Sequence, residues 1–203
     1  MKHARRPHFT DRDLKKVISG LRTFERTGTK RRTQEIRKLL RDYVHFVLLT
    51  GARAGTELSN LRWTDIDTFE QGGKGYVAVS VDGKTGQREL VASPRLTRYL
   101  DRLARRNCSG SEKVFVLPDG TQPRDLHGAF EIFLKSINLT HNKQGKRYSL
   151  YSLRHTYATQ RLTNGVGMHL LARQMGTSTV MLEQHYSHFV PRMNAVALVG
   201  NNT

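Results

Sequence analysis

A chain of 203 residues is long enough for one domain with its own buried core, or at most two small ones, without disulfide support. The single cysteine, Cys108, excludes an internal disulfide framework and a cysteine-cluster metal site, and no run approaches the ~18–20 apolar residues of a membrane-spanning helix. Against 17 Asp and Glu stand 34 Lys and Arg, a formal charge of +17, and residues 1–41 alone carry 14 basic and 4 acidic side chains. Such a field draws polyanions. Nucleic acid is therefore the expected partner rather than a membrane, because no basic helix pattern shows a rich aromatic face. The opening Met1-Lys2-His3-Ala4-Arg5-Arg6 runs into polar sequence, so no secretory leader is expected.

Residues 1–9 read as a basic lead-in. Thr10 then caps a helix whose Leu14, Val17, Ile18, Leu21 and Phe24 share one face, with Gly28 breaking it. A second helix is expected over 31–49, from Ile36, Leu39, Leu40, Tyr43, Val44 and Val47, with Gly51 as its C-terminal cap. A short helix at 55–61 follows. The period then changes: 62–67 and 76–81 read as strands, and 88–92 returns as the partner of the second, so 76–92 is a β-hairpin with Lys84 in or near its tip. Pro94 opens a helix to about 106, Val114-Phe115-Val116 reads as a short strand, and helices are expected at 123–136, 149–163, 167–175 and 179–186. A tail at 191–203 closes the chain. The architecture is α+β and mainly α, with a small antiparallel sheet.

Two familiar chemistries fit poorly. Gly83-Lys84-Thr85 suggests a phosphate-binding loop, but position 78 is Ala where that motif needs Gly, and a strand follows where a helix should begin. His155, His185 and His188 lack a third ligand at a telling spacing, so solvated or DNA-facing histidines are expected rather than a metal site. Three other segments say more together than singly. Thr50-Gly51-Ala52-Arg53 sets an arginine just past a buried helix and is followed by Glu57-Leu58 and Leu61-Arg62-Trp63. Tyr151-Ser152-Leu153-Arg154-His155 sets another in a largely apolar helix start. Met175-Gly176-Thr177 runs on to His185-Tyr186-Ser187-His188.

In this order the segments resemble the catalytic domain of the tyrosine recombinases, the phage integrase family. That family carries Thr-Gly-x-Arg with an acidic residue and Leu-x-x-Leu-x-Trp, then a lysine on a β-hairpin, His-x-x-Arg-His, and Gly-His with a tyrosine nine residues on. The resemblance covers roughly 10–190. It implies Arg53 and Arg154 as the phosphate-holding arginines, Lys84 as the hairpin lysine and Tyr186 as the nucleophile. Tyr151 and Thr177 stand where the family has histidines, and Glu57 falls one position later than usual. A separate amino-terminal clamp domain, usual in the family, finds no room in this chain.

The implied activity is site-specific recombination, cutting and rejoining DNA through a 3′-phosphotyrosyl bond for integration or excision. A DNA-binding relative with lost or weak strand transfer is the alternative that Tyr151 and Thr177 motivate. The charges suit the chemistry. Two permanently charged, forked guanidiniums match the non-bridging oxygens of a phosphate that gains charge in the transition state. A lysine on a hairpin can protonate the leaving 5′-oxygen. A phenol with a pKa of ~10 needs neighbouring positive charge or a base, and the sequence assigns none. No cofactor or metal is implied. Arg31, Arg32, Lys84, Arg95, Lys146 and Arg147 are expected to contact DNA phosphates. The resemblance further implies double-stranded attachment-site DNA as partner, a monomer alone that becomes a tetramer on synapsed DNA, and a cytoplasmic, nucleoid-associated location.

Overall fold

The computed structural model describes residues 7–83, 86–124 and 126–186. In chain order they form α1 (Asp11–Phe24), α2 (Arg31–Thr50), α3 (Thr56–Asn60), β1 (Ile66–Gln71), β2 (Lys74–Gly83), β3 (Gly86–Ala92), α4 (Thr97–Arg106), α5 (His127–Ser136), α6 (Leu150–Thr163), α7 (Met168–Met175) and α8 (Thr179–Tyr186). The fold is thus mainly helical with one antiparallel sheet of order β1-β2-β3. Among the described residues, no helix is long and apolar enough to cross a membrane.

Local chemistry accounts for most boundaries. Thr10 Oγ1 accepts the Asp13 amide at 3.2 Å and caps α1, whose first turn carries Asp11 and Asp13 against the positive helix end. Gly51 ends α2 in the left-handed region (φ 71°), its amide donating to Val47 at 2.8 Å. A side chain there would also strike the Tyr157 ring of α6, so glycine is needed twice over: for its φ and for the close approach.

The sheet departs from expectation in two places. The first strand lies at 66–71 rather than 62–67, because Trp63–Asp65 turn as a 3-10 segment with the Arg62 amide held by Asp65 at 2.8 Å. Gly72 and Gly73, both at positive φ, then close a two-residue hairpin onto β2. Val114-Phe115-Val116 is not a strand. The Val114 amide donates to Leu61 at 3.0 Å, next to an isolated Arg62–Lys113 bridge, and the residues are buried without a longer partner to ladder against. The β2–β3 hairpin forms as expected, in register from Val77↔Ala92 to Gly83↔Gly86.

The main core gathers α1, α2, the sheet, α4, α5 and the start of α6. Phe9, at the end of the lead-in, belongs to it: it is 2% exposed, stacks on Tyr148 at 4.1 Å, and donates its amide to Thr156 Oγ1 at 2.9 Å. A second, smaller core holds Tyr157, Ala158, Leu162, Leu171, Ala172, Met175, Leu182 and Tyr186, so α7 and α8 pack on the outer half of α6 as a satellite.

Helix α4 is pinned to α2 by charge. Asp42 is fully buried and takes Arg102 at 2.7 Å and Arg106, while His45 stacks on Tyr99 at 4.3 Å. Burial, and then the positive charges of Arg41, Arg102, Arg22 and Arg98, press the His45 pKa down to about 3. The unfolded chain binds a proton near pH 6.5 that folded His45 refuses. Stability is therefore complete above pH 6.5 and is lost as pH falls towards 3, by up to ~1.4 kcal/mol per pH unit. Urea unfolding between pH 7 and 4 should show this slope, and His45→Phe, which keeps the stacking, should flatten it.

Candidate active site

Arg53 follows directly from the Gly51 cap, which turns the chain off α2 and aims residue 53 at α3. Its amide donates to Glu57 Oε2 at 2.9 Å, its Nη1 to Glu57 Oε1 at 2.7 Å, and its Nη2 to the Gly176 carbonyl. Glu57 is 3% exposed and takes a second guanidinium: Arg88 of β3 donates to Oε1 at 2.9 Å and Oε2 at 2.7 Å. Burial pushes the Glu57 carboxyl up, but the bonds from Arg88 and Arg53 outweigh it and hold the pKa below its ordinary value.

Ser149 and Ser152 cap α6, and its first turns then carry Tyr151, Arg154 and His155 at i, i+3 and i+4, hence on one face. Arg154 is 3% exposed, with Nη1 donating to the Gly51 carbonyl at 2.6 Å and Nη2 to that of Met175. Burial, with Arg53 adding to it, lowers its pKa to about 10, so it remains charged at neutral pH. Gly176 ends α7 in the left-handed conformation (φ 60°), with the Thr177 amide returning to Ala172 at 3.0 Å, and this reversal places Thr177 against α6 and α8.

The result is a cavity of about 50 Å³ lined by Tyr151, Arg154, His155, Thr177 and Tyr186 among others. Tyr186, the last residue of α8, is 4% exposed, and its Oη lies 2.5 Å from His155 Nδ1. Burial raises its phenol above the ordinary value, although Arg154 pulls the other way. The structure thus brings Tyr151, Arg154, Thr177 and Tyr186 around one space, and ties Arg53 to its rim through Gly176. Counting Arg53, Arg88 and Arg154 against Glu57 leaves two positive charges in excess at this rim, a field that favours an anion.

Lys84 and His188 lie outside the described residues, as do residues 1–6 and the tail 191–203. Gly83, just before Lys84, abuts Glu57 so closely that a Cβ there would collide with the carboxylate, so the base of the hairpin turn stands at the site.

A wide cleft of about 1070 Å³ opens from Tyr186 and His155 and is lined by Arg12, Lys16, Lys143 and Lys146. Lys146 therefore shares a surface with the phenol. Its neighbour Arg147 is exposed and paired with Glu131 at 2.5 Å. Arg31 and Arg32 line a separate depression beside Pro118 and Asp119, and Arg95 is exposed in the turn Pro94–Leu96.

Sequence reasoning missed two residues here. His155 was expected to be solvated or DNA-facing; instead it bonds the phenol and packs edge-on to Tyr151 at 5.1 Å. The signal was present, since His155 ends the Arg-His pair and lies four residues after Tyr151. Arg88 gave no signal, because an arginine in an alternating strand reads as a solvated side chain.

A model of the phage integrase family matches residues 15–192. The chain belongs to that family, the tyrosine recombinases, and has its catalytic fold. No curated protein matches it in sequence. Among solved structures it is similar to the XerH site-specific recombinase in a post-cleavage complex with palindromic difH substrate (TM-score 0.72, 18% identity, 97% of this chain and 54% of that one). It is also similar to the Tn1549 transposon integrase in complex with transposon right end DNA (0.67, 18%, 98% and 67%) and to a lambda integrase dimer bound to a COC′ core site (0.62, 19%, 91% and 49%). The chain therefore spans about half the length of XerH.

Proposed function

We propose that this chain is the catalytic portion of a site-specific DNA recombinase, cleaving and rejoining double-stranded attachment-site DNA through a 3′-phosphotyrosyl intermediate in integration or excision. The observation that carries the reading is the contact of Tyr186 Oη with His155 Nδ1, in the cavity that Arg154 also lines.

Each group has a role in phosphoryl transfer. With its proton on Nε2, His155 accepts the phenol proton at Nδ1, which answers the raised pKa of buried Tyr186. The phenolate oxygen attacks phosphorus as the bond to the 5′-oxygen breaks. Arg53 and Arg154 take up the charge that builds on the non-bridging oxygens, Tyr151 and Thr177 offer hydroxyl hydrogen bonds to the same phosphate, and Lys84 protonates the leaving oxygen. A 5′-hydroxyl from another strand then attacks the phosphotyrosine and reseals the backbone. The basic cleft with Lys146 supports a DNA path past Tyr186, and Arg31, Arg32, Arg95 and Arg147 would meet phosphates further along it. The DNA complexes of XerH, the Tn1549 integrase and lambda integrase support the same partner. The chain acts as a tetramer on synapsed DNA and a monomer off it.

The test uses duplexes enriched from a randomised pool by retention on the protein, then nicked so that the 5′-hydroxyl fragment diffuses away after cleavage. A protein–DNA adduct that survives SDS is expected. Tight binding with no adduct at any nick position would leave a DNA-binding protein without strand cleavage.

A further inference from the structure

We infer that Arg88 is a positioning residue of this site: by gripping Glu57 with both Nη atoms it fixes the orientation of the Arg53 guanidinium. The inference rests on the reading of the site as a recombinase centre and extends it to a residue engaged by Glu57 and Gln174.

Exposure and bonding separate Arg88 from Arg53, with which it shares the Glu57 carboxylate. Its side chain is 9% exposed, against 23% for Arg53, and its Nε points to the Gln174 carbonyl at 3.4 Å. Both its Nη atoms are engaged by Glu57 at 2.9 and 2.7 Å. A fork-on-fork pair of this kind fixes the plane of the carboxylate as well as its place. The same two oxygens receive Arg53, Oε1 from Nη1 at 2.7 Å and Oε2 from the backbone amide at 2.9 Å. The Glu57 plane therefore decides where the Arg53 guanidinium lies, and Arg88 decides the Glu57 plane.

Packing puts this pair at the meeting point of three segments. A Cβ on Gly83 would hit the Glu57 carboxylate, and one on Gly176 would meet Arg88 Nε at 2.7 Å. Gly83 precedes Lys84, and Gly176 precedes Thr177. Gln174 adds a second tie, its side-chain amide exchanging bonds with the Val91 backbone at 3.1 and 3.0 Å and donating to the Thr50 carbonyl at 3.1 Å. Strand β3, the Arg53 loop and the end of α7 are thus locked to one another around Arg88.

A purely structural Arg88, present only to neutralise Glu57, would be replaced well by lysine. A positioning Arg88 would not, because an ammonium is a point charge without the planar fork. The test compares wild type, Arg88→Lys and Arg88→Gln, judged on whichever variants keep the wild-type circular dichroism. Guanidinium ¹⁵N NMR without DNA reads Arg53 directly, its signals assigned by their loss in Arg53→Lys. Slow Nη rotation is expected in wild type and averaged signals in the Arg88 variants. In nicked-duplex trapping, the single-turnover rate should fall ~10–100-fold in Arg88→Lys, the scale of a misplaced catalytic group, with DNA affinity within about twofold. Unchanged Arg53 signals in the Arg88 variants would overturn the inference, as would a wild-type trapping rate in Arg88→Lys. Failure of wild type to form an adduct would instead strike the recombinase reading, while the NMR comparison would still decide whether Arg88 sets Arg53.

Discussion

Tyr186→Phe should abolish the SDS-stable adduct while leaving DNA retention at its wild-type level. The substitution removes one oxygen and keeps the ring that fills the satellite core beside Leu182 and Met175. It deletes the bond to His155, whose net contribution to stability is ~1 kcal/mol. The fold should therefore survive with a slightly lower melting temperature. Tyr151 is the necessary control, since its phenol lines the same cavity. Tyr151→Phe should retain adduct formation at a reduced rate. An adduct that persists in Tyr186→Phe and disappears in Tyr151→Phe would move the nucleophile to α6. Denaturing gels with labelled DNA distinguish these outcomes.

Arg154→Lys should lower the single-turnover cleavage rate ~10²–10³-fold, which corresponds to the ~2.7–4 kcal/mol typical of a lost preorganised donor. Lysine keeps the charge but cannot reach two places at once. In the structure the Arg154 fork spans the Gly51 carbonyl of the α2 cap and the Met175 carbonyl at the end of α7. Losing either bond leaves a buried carbonyl unsatisfied, at about 1–3 kcal/mol. The variant should thus be both slower and less stable, by denaturant melting, whereas Arg53→Lys, more exposed, should lose rate with a smaller stability change. Equal stability for Arg154→Lys and wild type would mean that the two carbonyls find other donors.

The helices were legible because apolar residues repeat at helical spacing and the caps announce themselves, as Thr10 and Gly51 do. The β2–β3 hairpin was legible because Tyr76–Val81 is rich in β-formers. Strand β1 was not, since Ile66-Asp67-Thr68-Phe69-Glu70-Gln71 forms an exposed edge whose only strong cue is the Gly72-Gly73 turn after it. Val114–Val116 misled for the opposite reason: buried β-formers look like a strand even where, among the described residues, no neighbouring strand pairs with them. At the site, Arg53, Arg154 and Tyr186 could be picked out by motif spacing. Arg88 and His155 depend on contacts between segments far apart in the chain, 31 positions in each case, and no local pattern encodes those.

The seating of Phe9 has a mechanical consequence. Its ring is clamped between Tyr148 and Phe130, and its amide is tied to Thr156, the residue after His155 and two beyond Arg154. Any load applied to the polypeptide ahead of Pro7, whether from a fused partner or an optical-trap handle, is delivered straight to the turn of α6 that carries Arg154 and His155. A spacer inserted between Phe9 and Thr10 would leave that linkage intact, whereas Phe9→Gly would strip away the ring's anchorage and leave the amide bond to Thr156 as the remaining tether.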